Sequence, residues 1–447
     1  MSFKDSINNL DEEGFSLLHL KTKAGNADIV QKLIEDGADI EMKDRKHGST
    51  ALLWACQNGH TNVVKILLQN DANVFATSYI GITPLHFAAE SGSSQTVQML
   101  IDKGVKLEFV EKRNGLTPLL WACYNGRTNV VKILLEKGAN VFASSFTKRT
   151  ALHFAAQSGQ VDLVDILIKE GLKIDSKAKN GITPLIDACH KGQKNVVEYM
   201  LQNGANVNPT THHGKTILHL AVQFHQYHIV EMLVKKGLNV NAKSISGWTP
   251  FFQACYEGQK DTVELFMKNG ADLSARLDKN DCTCLHFATE KGHFEVLKLL
   301  LENGVDVHSR DKSGNTPFLR TCFLGHAKAA KFLLENGAKV GDVNKALFSG
   351  LHLITLKDHN VYETTKLLLE NGADVTLKTN SSYNEMMPFQ LAVMRPIPKP
   401  NIPFIKALFD FNPTYNVRDG NKDNAVELVL RKKVHDALRI VLFSYHQ

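Results

Sequence analysis

At 447 residues, 43% hydrophobic and 22% charged, the chain has the composition of an ordinary soluble protein. It lacks any run of about 18 apolar residues that could span a bilayer. The net charge of +6 is mild and the basic residues lie among acidic ones, whereas nucleic-acid-binding proteins more often carry a clustered basic face. The first residues lack the apolar core of a signal peptide. We therefore expect no membrane insertion and a location in the cytoplasm, with the nucleus as a second possibility.

One short motif recurs along most of the chain, in which Thr or Ser is followed two residues later by Leu or Phe. Its copies are separated by 33 or 34 residues, and so regular a spacing indicates tandem repeats of one supersecondary unit. The eleven copies begin at Ser16, Thr50, Thr83, Thr117, Thr150, Thr183, Thr216, Thr249, Thr283, Thr316 and Ser349.

Each repeat has the same local pattern, which the copy at Thr117 illustrates. Gly115 precedes it in a tight turn, Thr117 is suited to cap a helix, and Pro118 is tolerated at the first helical position. Gly126 ends this short helix, and a second apolar-periodic helix runs to Gly138. The pattern predicts a pair of helices in every repeat, linked to the next pair by a turn.

These residues resemble the ankyrin-repeat family, whose signature Thr-Pro-Leu-His-x-Ala stands at 83–88. The resemblance covers nearly the whole chain. It implies an all-α repeat solenoid, an ankyrin-repeat stack in which helix-turn-helix units are joined by β-hairpin fingers. It also implies a curved superhelix whose first helices and fingers line a concave groove. One unit cannot bury its own apolar face, so the stability of such a stack comes from contacts between neighbours.

The repeats suggest four segments. Residues 1–14 are expected to form an N-terminal cap or first finger, and residues 15–382 the eleven tandem repeats. Residues 383–423 are interpreted as a degenerate repeat, interrupted by the proline-rich stretch 395–400, which predicts a stiff extended loop. Residues 424–447 are expected to form capping helices with a polar outer face.

Three glycine positions hold other residues. His225 and Asp358 stand where a first helix should end in Gly, and Asp71 where a second helix should. Because His and Asp tolerate positive φ better than most residues, we expect these turns to be retained.

Successive repeats alternate in type, one with His and the other with Cys at a fixed place. The histidines are interpreted as structural residues that bond the backbone near the turn. The cysteines are interpreted as small buried residues, since five equivalent places in a stack cannot converge on one metal. The dense histidine group at 212–228 includes His219, which is structural, and His225, which takes a glycine place. We therefore predict no metal and no cofactor. The alternating residues are His19, His86, His153, His219, His286 and His352, and Cys56, Cys123, Cys189, Cys255 and Cys322.

The positions just before the first-helix glycine are expected to face the groove. They are aromatic in four repeats, where other repeats have Gln or Glu, and aromatic residues on a repeat scaffold are candidates for binding hot spots. The two tryptophans among the candidates lie at a place that is often packed between repeats, so contact and core remain equally open for them. The expected groove contacts are Tyr124, Phe224, Tyr256, Phe323, His190, Trp54 and Trp121.

Several finger tips are basic. Charged tips keep exposed hairpin edges soluble, and they also suit a partner with an acidic surface. The expected finger contacts are Arg45, Lys46, Lys112, Arg113, Lys148, Arg149 and Trp248.

No phosphate-binding loop, nucleophile elbow, zinc-protease motif or kinase signature is found. The sequence thus favours a non-catalytic, monomeric scaffold or adaptor that binds a protein partner. One alternative is a module that senses a nucleotide, an oligonucleotide or another acidic ligand, whose affinity would fall steeply with salt. Another is the targeting subunit of a larger signalling or ubiquitin-ligase complex. A weakly marked enzyme in residues 383–447 would instead fold and act alone, which we do not expect.

Overall fold

A computed structural model describes residues 7–208, 213–357, 359–383, 385–394 and 401–411. Within these ranges the regular structure is twenty-four α-helices in successive pairs, together with two short 3₁₀ turns. The predicted all-α ankyrin-repeat fold is confirmed.

The helices alternate between a first and a second helix of each pair. The first helices are α1 (Leu17–Lys23), α3 (Ala51–Gln57), α5 (Pro84–Ser91), α7 (Pro118–Tyr124), α9 (Ala151–Ser158), α11 (Pro184–His190), α13 (Ile217–Gln223), α15 (Pro250–Glu257), α17 (Cys284–Glu290), α19 (Pro317–Leu324), α21 (Gly350–Ile354) and α23 (Pro388–Met394). The second helices are α2 (Ala27–Glu35), α4 (Thr61–Gln69), α6 (Ser94–Asp102), α8 (Thr128–Glu136), α10 (Val161–Lys169), α12 (Lys194–Gln202), α14 (Tyr227–Lys235), α16 (Lys260–Lys268), α18 (Phe294–Glu302), α20 (Ala327–Glu335), α22 (Val361–Glu370) and α24 (Ile402–Phe411). The 3₁₀ turns are Lys179–Gly181 and Ser381–Tyr383.

The chain divides into two units, residues 1–229 and residues 230–447. In the first unit each first helix packs on the next, in the order α1, α3, α5, α7, α9, α11 and α13. In the second unit α15, α17, α19 and α21 pack in the same way, and α22 packs on α24. Leu, Val, Ala and Cys fill the layers between neighbouring helices, so each core is shared between repeats.

The periodic histidines are structural, as the sequence predicts. The backbone N–H of Thr83 donates to Nδ1 of His86 (3.3 Å), so Nε2 carries the proton and donates to the carbonyl of Leu116 in the next finger (3.0 Å). Burial lowers the pKa of His86 to about 4, which keeps the ring neutral. The equivalent bonds from a histidine to the next finger join His19 to Met42, His153 to Ile182, His286 to Asn315 and His352 to Met386.

All seven cysteines are buried thiols, so they pack as small core residues. Burial raises the pKa of each, for example to about 12 at Cys189. Because the thiolate is the reactive form, burial disfavours reaction at these thiols near neutral pH.

The expected non-glycine turns are present at two of the three places. Asp71 and His225 have φ of 58° and 57°, and Asp358 lies outside the described residues. Sequence reasoning missed Lys148, Asp281 and Leu347, which also adopt left-handed φ, of 60°, 56° and 60°, in place of the glycine before the cap.

The fingers are turns rather than the β-hairpins that the resemblance implied. Within the described residues, pairing of β type is limited to isolated bridges at Ser144–Thr150 and Val343–Ser349, because the arms are too short for a ladder. Many of the fingers are instead hydrogen-bonded to a neighbouring finger. In the first unit, for example, the N–H of Phe146 donates to the carbonyl of Asn114 (2.9 Å).

Near the C-terminus, α23 and α24 form the last described pair. The amide of Asn401 donates to the carbonyls of Thr355 and Lys357, at 3.1 and 2.8 Å, which fixes the start of α24. The proline-rich stretch at 395–400 and the expected cap at 424–447 lie outside the described residues. The four proposed segment boundaries therefore stay predictions.

Candidate partner-binding face

Tyr124 lies at the end of α7 and leaves 50% of its surface exposed. Its ring meets Phe154 of the next repeat edge-on, with the centroids 6.0 Å apart. The side chain is therefore both accessible and held in place, as a contact residue should be.

Phe224 does not occupy the place of the other three aromatic residues. It follows α13 as the C-cap residue, and the equivalent place one residue earlier holds exposed Gln223. The half-buried ring packs against His190, which is itself exposed, with the centroids 4.4 Å apart. Phe224 thus contributes to packing between neighbouring repeats, which the sequence-based interpretation had not included.

In the second unit, Tyr256 and Phe323 each lie under a lysine. Lys291 Nζ is 4.6 Å from the centroid of half-buried Tyr256, and Lys357 Nζ is 4.1 Å from that of exposed Phe323. Trp248 is half-buried and meets Tyr256 edge-on at 5.6 Å, so it packs behind this ring rather than projecting from a finger tip.

The two tryptophans of the first unit differ. Trp54 is buried and its Nε1 donates to the carboxylate of Asp44 at 3.2 Å, so most of its surface is packed in the core. Trp121 is half-buried and lies edge-on to His86 and Phe87, with centroids 5.7 and 6.0 Å away. Its Nε1 is buried and has no hydrogen-bond partner among the described residues.

Most of the predicted finger cations are exposed, but Arg149 is not a free finger charge. It is half-buried and forms a two-bonded ion pair with Asp187 of the next repeat, whose side chain is buried. Arg149 Nε lies 3.0 Å from one carboxylate oxygen and Nη2 lies 3.2 Å from the other. It therefore joins two repeats. The exposed finger residues are Arg45, Lys46, Lys112, Arg113 and Lys148.

Two cavities of the first unit open between successive fingers and the first helices below them. The first has a volume of about 290 Å³ and the second about 410 Å³. We call the surface around them the finger–helix face. The first cavity is lined by residues that include Lys46, Trp54, Gln57, Tyr79, Phe87 and Glu90, and the second by residues that include Glu90, Arg113, Trp121, Tyr124, Phe146 and Arg149.

The second cavity is a copy of the first. A shift of 67 residues carries ten of the twelve lining residues of the first cavity onto lining residues of the second, for example Lys46 onto Arg113 and Trp54 onto Trp121. It also carries Tyr79 onto Phe146, and these two finger residues are 58% and 55% exposed. Sequence reasoning missed this pair, although both stand four residues before a capping threonine.

A third cavity, in the second unit, occupies the same place in its pair of repeats. Its volume is about 610 Å³, and Phe323 and Lys345 line it. Arg320 projects into its wall, where it binds Asp311 at 3.2 Å and Glu290 at 2.8 Å. This third cavity is thus bordered by an internal ion-pair network rather than by tryptophan.

Glu90 is the one carboxylate among the residues that line the first or second cavity, and it borders both. Partial burial raises its pKa, and the charge of Arg127 opposes that effect. One of its oxygens is buried without a hydrogen-bond partner among the described residues. The lips of the cavities are cationic through exposed Lys46 and Arg113, so an occupant meets positive charge at the entrance and one acid at the shared wall.

The described residues contain no group of three or more His, Cys, Asp or Glu side chains placed to hold a metal ion. In the same part of the chain, every helix is too short or too polar to cross a lipid bilayer. What the face offers is apolar area, fixed aromatic rings and a pattern of charge, which together suit the binding of a polypeptide.

Two family models match the sequence over much more than half of its length. The model described as ankyrin repeats in three copies matches residues 3–78, 85–178, 152–244 and 241–311. The model described as ankyrin repeats in many copies matches residues 289–334.

Among similar proteins, a palmitoyltransferase of Lachancea kluyveri is 39% identical over 106 residues, which cover 23% of this chain and 14% of that protein. A probable E3 ubiquitin-protein ligase of Oryza sativa subsp. japonica is 42% identical over 87 residues, 19% of this chain and 16% of that protein. The B-cell lymphoma 3 protein homolog of Mus musculus is 38% identical over 92 residues, 21% of this chain and 20% of that protein. The chain thus spans a fifth or less of the length of these relatives.

Proposed function

Because this chain belongs to the ankyrin-repeat family, we propose that it is a non-catalytic interaction protein that holds a protein partner against its finger–helix face. One observation carries the proposal: exposed aromatic side chains ring the two cavities of the first unit. They are Tyr79, Tyr124 and Phe146. Patches of exposed aromatic residues mark contact surfaces.

The geometry favours binding because the contact residues are already ordered. Tyr124 is held by Phe154, and the ring of Phe146 lies over Gly115 of the preceding finger. Little side-chain entropy is therefore lost when a partner covers them. The exposed cations Lys112 and Arg113 add electrostatic attraction for an acidic partner, which acts mainly on the rate of association.

Capture of partners from the native cell with the intact chain as bait, followed by mass spectrometry, tests the proposal. A captured protein should then bind the purified chain directly, and Tyr124→Ala should weaken it by roughly 2 kcal/mol, about thirtyfold. Thermal melts of the same variant separate lost contact from lost folding. If Tyr124→Ala and Phe146→Ala both bind like the parent, the face is wrongly assigned.

The salt dependence of the same complex decides between a protein and a phosphate ligand. Contacts with several phosphates lose affinity steeply as salt rises, whereas an aromatic and apolar contact does not. A steep loss on raising the salt would favour the alternative, a module that senses nucleotides or oligonucleotides.

The second unit has predicted contacts of its own. Tyr256 and Phe323 stay predicted contacts, since both remain at least partly accessible. Their lysines, Lys291 and Lys357, lie against the rings, so a partner must displace or share these cations. Replacing Tyr256 should therefore weaken binding less than replacing Tyr124.

A second candidate role is that of a targeting subunit in a larger complex. It is favoured by the relatives, in which matching repeats make up a small part of proteins named as a probable ubiquitin ligase or a palmitoyltransferase. In that role the chain would supply the binding and another polypeptide the catalysis. Copurification of the captured partner with such an enzyme would support this candidate, and capture of a partner alone would favour a simple adaptor.

A further inference from the structure

We propose that the first and second cavities together bind one extended peptide segment carrying two apolar side chains, each beside an acidic residue. The inference rests on the proposed function, which requires only that this face bind a protein. It goes further by naming the segment that the face would select.

The two cavities present the same two aromatic elements to an occupant. Each is lined by a tryptophan from its own repeat, Trp54 or Trp121, and by an exposed aromatic ring on the finger, Tyr79 or Phe146. Trp121 also borders the first cavity. The tryptophan and the finger ring leave a space between them in each copy. An apolar side chain that enters would be enclosed by aromatic surface, which is how binding hot spots are built.

Glycine sets the position of the finger rings. The ring of Tyr79 lies over Gly48 of the preceding finger, and the ring of Phe146 lies over Gly115. A Cβ atom at either glycine would collide with the ring, and both glycines also have positive φ, at 67° and 75°. The finger ring is thus held in the same way in both copies, so the two cavities accept the same kind of side chain.

The distance between the cavities follows from the stacking of the first helices. Helix α3 packs on α5, and α5 packs on α7. Neighbouring packed helices are about 8–10 Å apart, so the two tryptophan-bearing helices are separated by about 16–20 Å. An extended chain rises by about 3.3 Å per residue, so the two anchors should be about five or six residues apart.

The charges around the cavities indicate where acids belong in the segment. Exposed Lys46 and Arg113 stand at the two entrances, with Arg45 and Lys112 beside them. Acidic residues next to each anchor would meet these cations. Glu90 lies at the wall between the cavities, so the stretch between the anchors should carry no acid.

The chain offers matched controls. Phe75 and Phe142 are also 67 residues apart and are as exposed as the finger rings, at 58% and 64%, yet neither is among the residues that line the first or second cavity. Replacing them removes a similar exposed aromatic surface without touching the proposed site.

The experiment is selection of displayed random peptides of about 16 residues, long enough to span both cavities when extended, on the full chain. Selected peptides should carry two apolar residues about five or six positions apart, with acids beside them and none midway. Measured by fluorescence anisotropy, Tyr79→Ala and Phe146→Ala should each lower the affinity for a selected peptide about thirtyfold, since each removes one anchor site. Phe75→Ala and Phe142→Ala should bind like the parent, and melts of all four variants should show that each is folded.

Several results would overturn the inference. Selected peptides with a single anchor, or with no preferred spacing, would contradict the twin arrangement, as would binding that survives both Tyr79→Ala and Phe146→Ala. In those cases a captured protein partner that still binds the chain leaves the proposed function intact. Failure to select any peptide would also overturn the inference, and the proposed function falls only if partner capture fails as well.

Discussion

The second and third cavities occupy the same place in the repeat, but they differ in whether the polar and charged side chains of their walls are paired within the chain. In the third cavity, which belongs to the second unit, Arg320 stands four residues after the capping threonine. It binds both nearby carboxylates, those of Asp311 and Glu290. Arg320, Asp311 and Glu290 are thus paired with one another within the chain.

In the second cavity, which belongs to the first unit, the corresponding residue is Trp121 and the corresponding carboxylates are Glu111 and Glu90. The Glu111 carboxylate accepts hydrogen bonds from the backbone N–H groups of its own finger, including those of Arg113 and Asn114. Trp121 Nε1 and one Glu90 oxygen are left without hydrogen bonds to the described residues. One scaffold thus gives an internally paired wall in one unit and, in the other, an aromatic wall that suits a partner.

The largest expected effect is on the pH dependence of stability, which follows from the buried histidines that both units contain. His86 packs on Trp121 and His352 packs on Phe348, and burial lowers the pKa of both to about 4. The unfolded chain therefore takes up protons first as the pH falls from 6.5 towards 4, and the free energy of unfolding decreases in that window. Each such histidine contributes up to about 1.4 kcal/mol per pH unit.

Urea unfolding at a series of pH values checks this. His86→Gln and His352→Gln should each reduce the steepness of the pH dependence, whatever they do to stability at neutral pH. An unchanged slope in both variants would mean that these rings do not stay neutral in the fold.

The next largest effect is a loss of stability that is expected in the second unit alone. Arg320→Met should lower stability by about 2–3 kcal/mol, because it leaves the nearly buried Asp311 carboxylate without its cation. Hydrogen exchange measured by mass spectrometry should show faster opening of α19, since local stability is what a long repeat array loses first. Lys331→Met removes an exposed pair with Glu335 and is the matched control. Equal exchange in the two variants would contradict the account.

Much of the fold follows from the sequence because it depends on local rules. A capping threonine, a following proline and a glycine after the helix act within a few residues, and Asp71 and His225 keep their turns for the reason that the sequence suggests. The site depends instead on contacts between residues that lie far apart in the sequence. The Nε1 group of Trp54 is hydrogen-bonded to Asp44, whereas that of Trp121 has no such bond, although Glu111 stands at the position equivalent to Asp44. Whether the bond forms depends on how far the carboxylate reaches across the finger, and the spacing of residues in the sequence does not reveal this.

Some predicted site residues lie in other surroundings than the sequence suggested, for similar reasons. Arg149 looks like any other finger cation until its partner Asp187, 38 residues later, is brought beside it. Phe224 stands one residue beyond the expected place, and a one-residue displacement on a helix end turns a side chain towards the neighbouring repeat. Tyr79 and Phe146 could have been found from the 67-residue period, had it been applied to the fingers as well as to the helices.

A smaller effect is expected when the ion-paired arrangement of the second unit is copied into the first unit. Trp121→Arg should create an ion pair with Glu90, as Arg320 forms with Glu290. A double-mutant cycle with Glu90→Gln should then give a coupling free energy of about 1 kcal/mol, whereas Trp121 and Glu90 should show almost none in the parent. Denaturant midpoints of the four proteins supply the measurement. No coupling in the arginine background would show that the two walls are not equivalent.

The smallest expected difference is at the cysteines. Cys123 and Cys322 occupy equivalent places and both are buried, which raises the pKa of each thiol. Both should react with a disulfide reagent far more slowly in the native protein than in urea. Rapid labelling of either one, identified by peptide mapping, would show that its helix layer opens more readily than the packing suggests.

The most direct test of the central claim is a hydrogen-exchange footprint of a captured partner on the intact chain. If the first unit carries the binding surface, the partner should protect the finger amides at 44–49, 78–82, 111–116 and 145–149, which border the first and second cavities. The walls of the third cavity, with Arg320 already paired, should be protected less. Protection confined to the second helices, or to the second unit alone, would contradict the account.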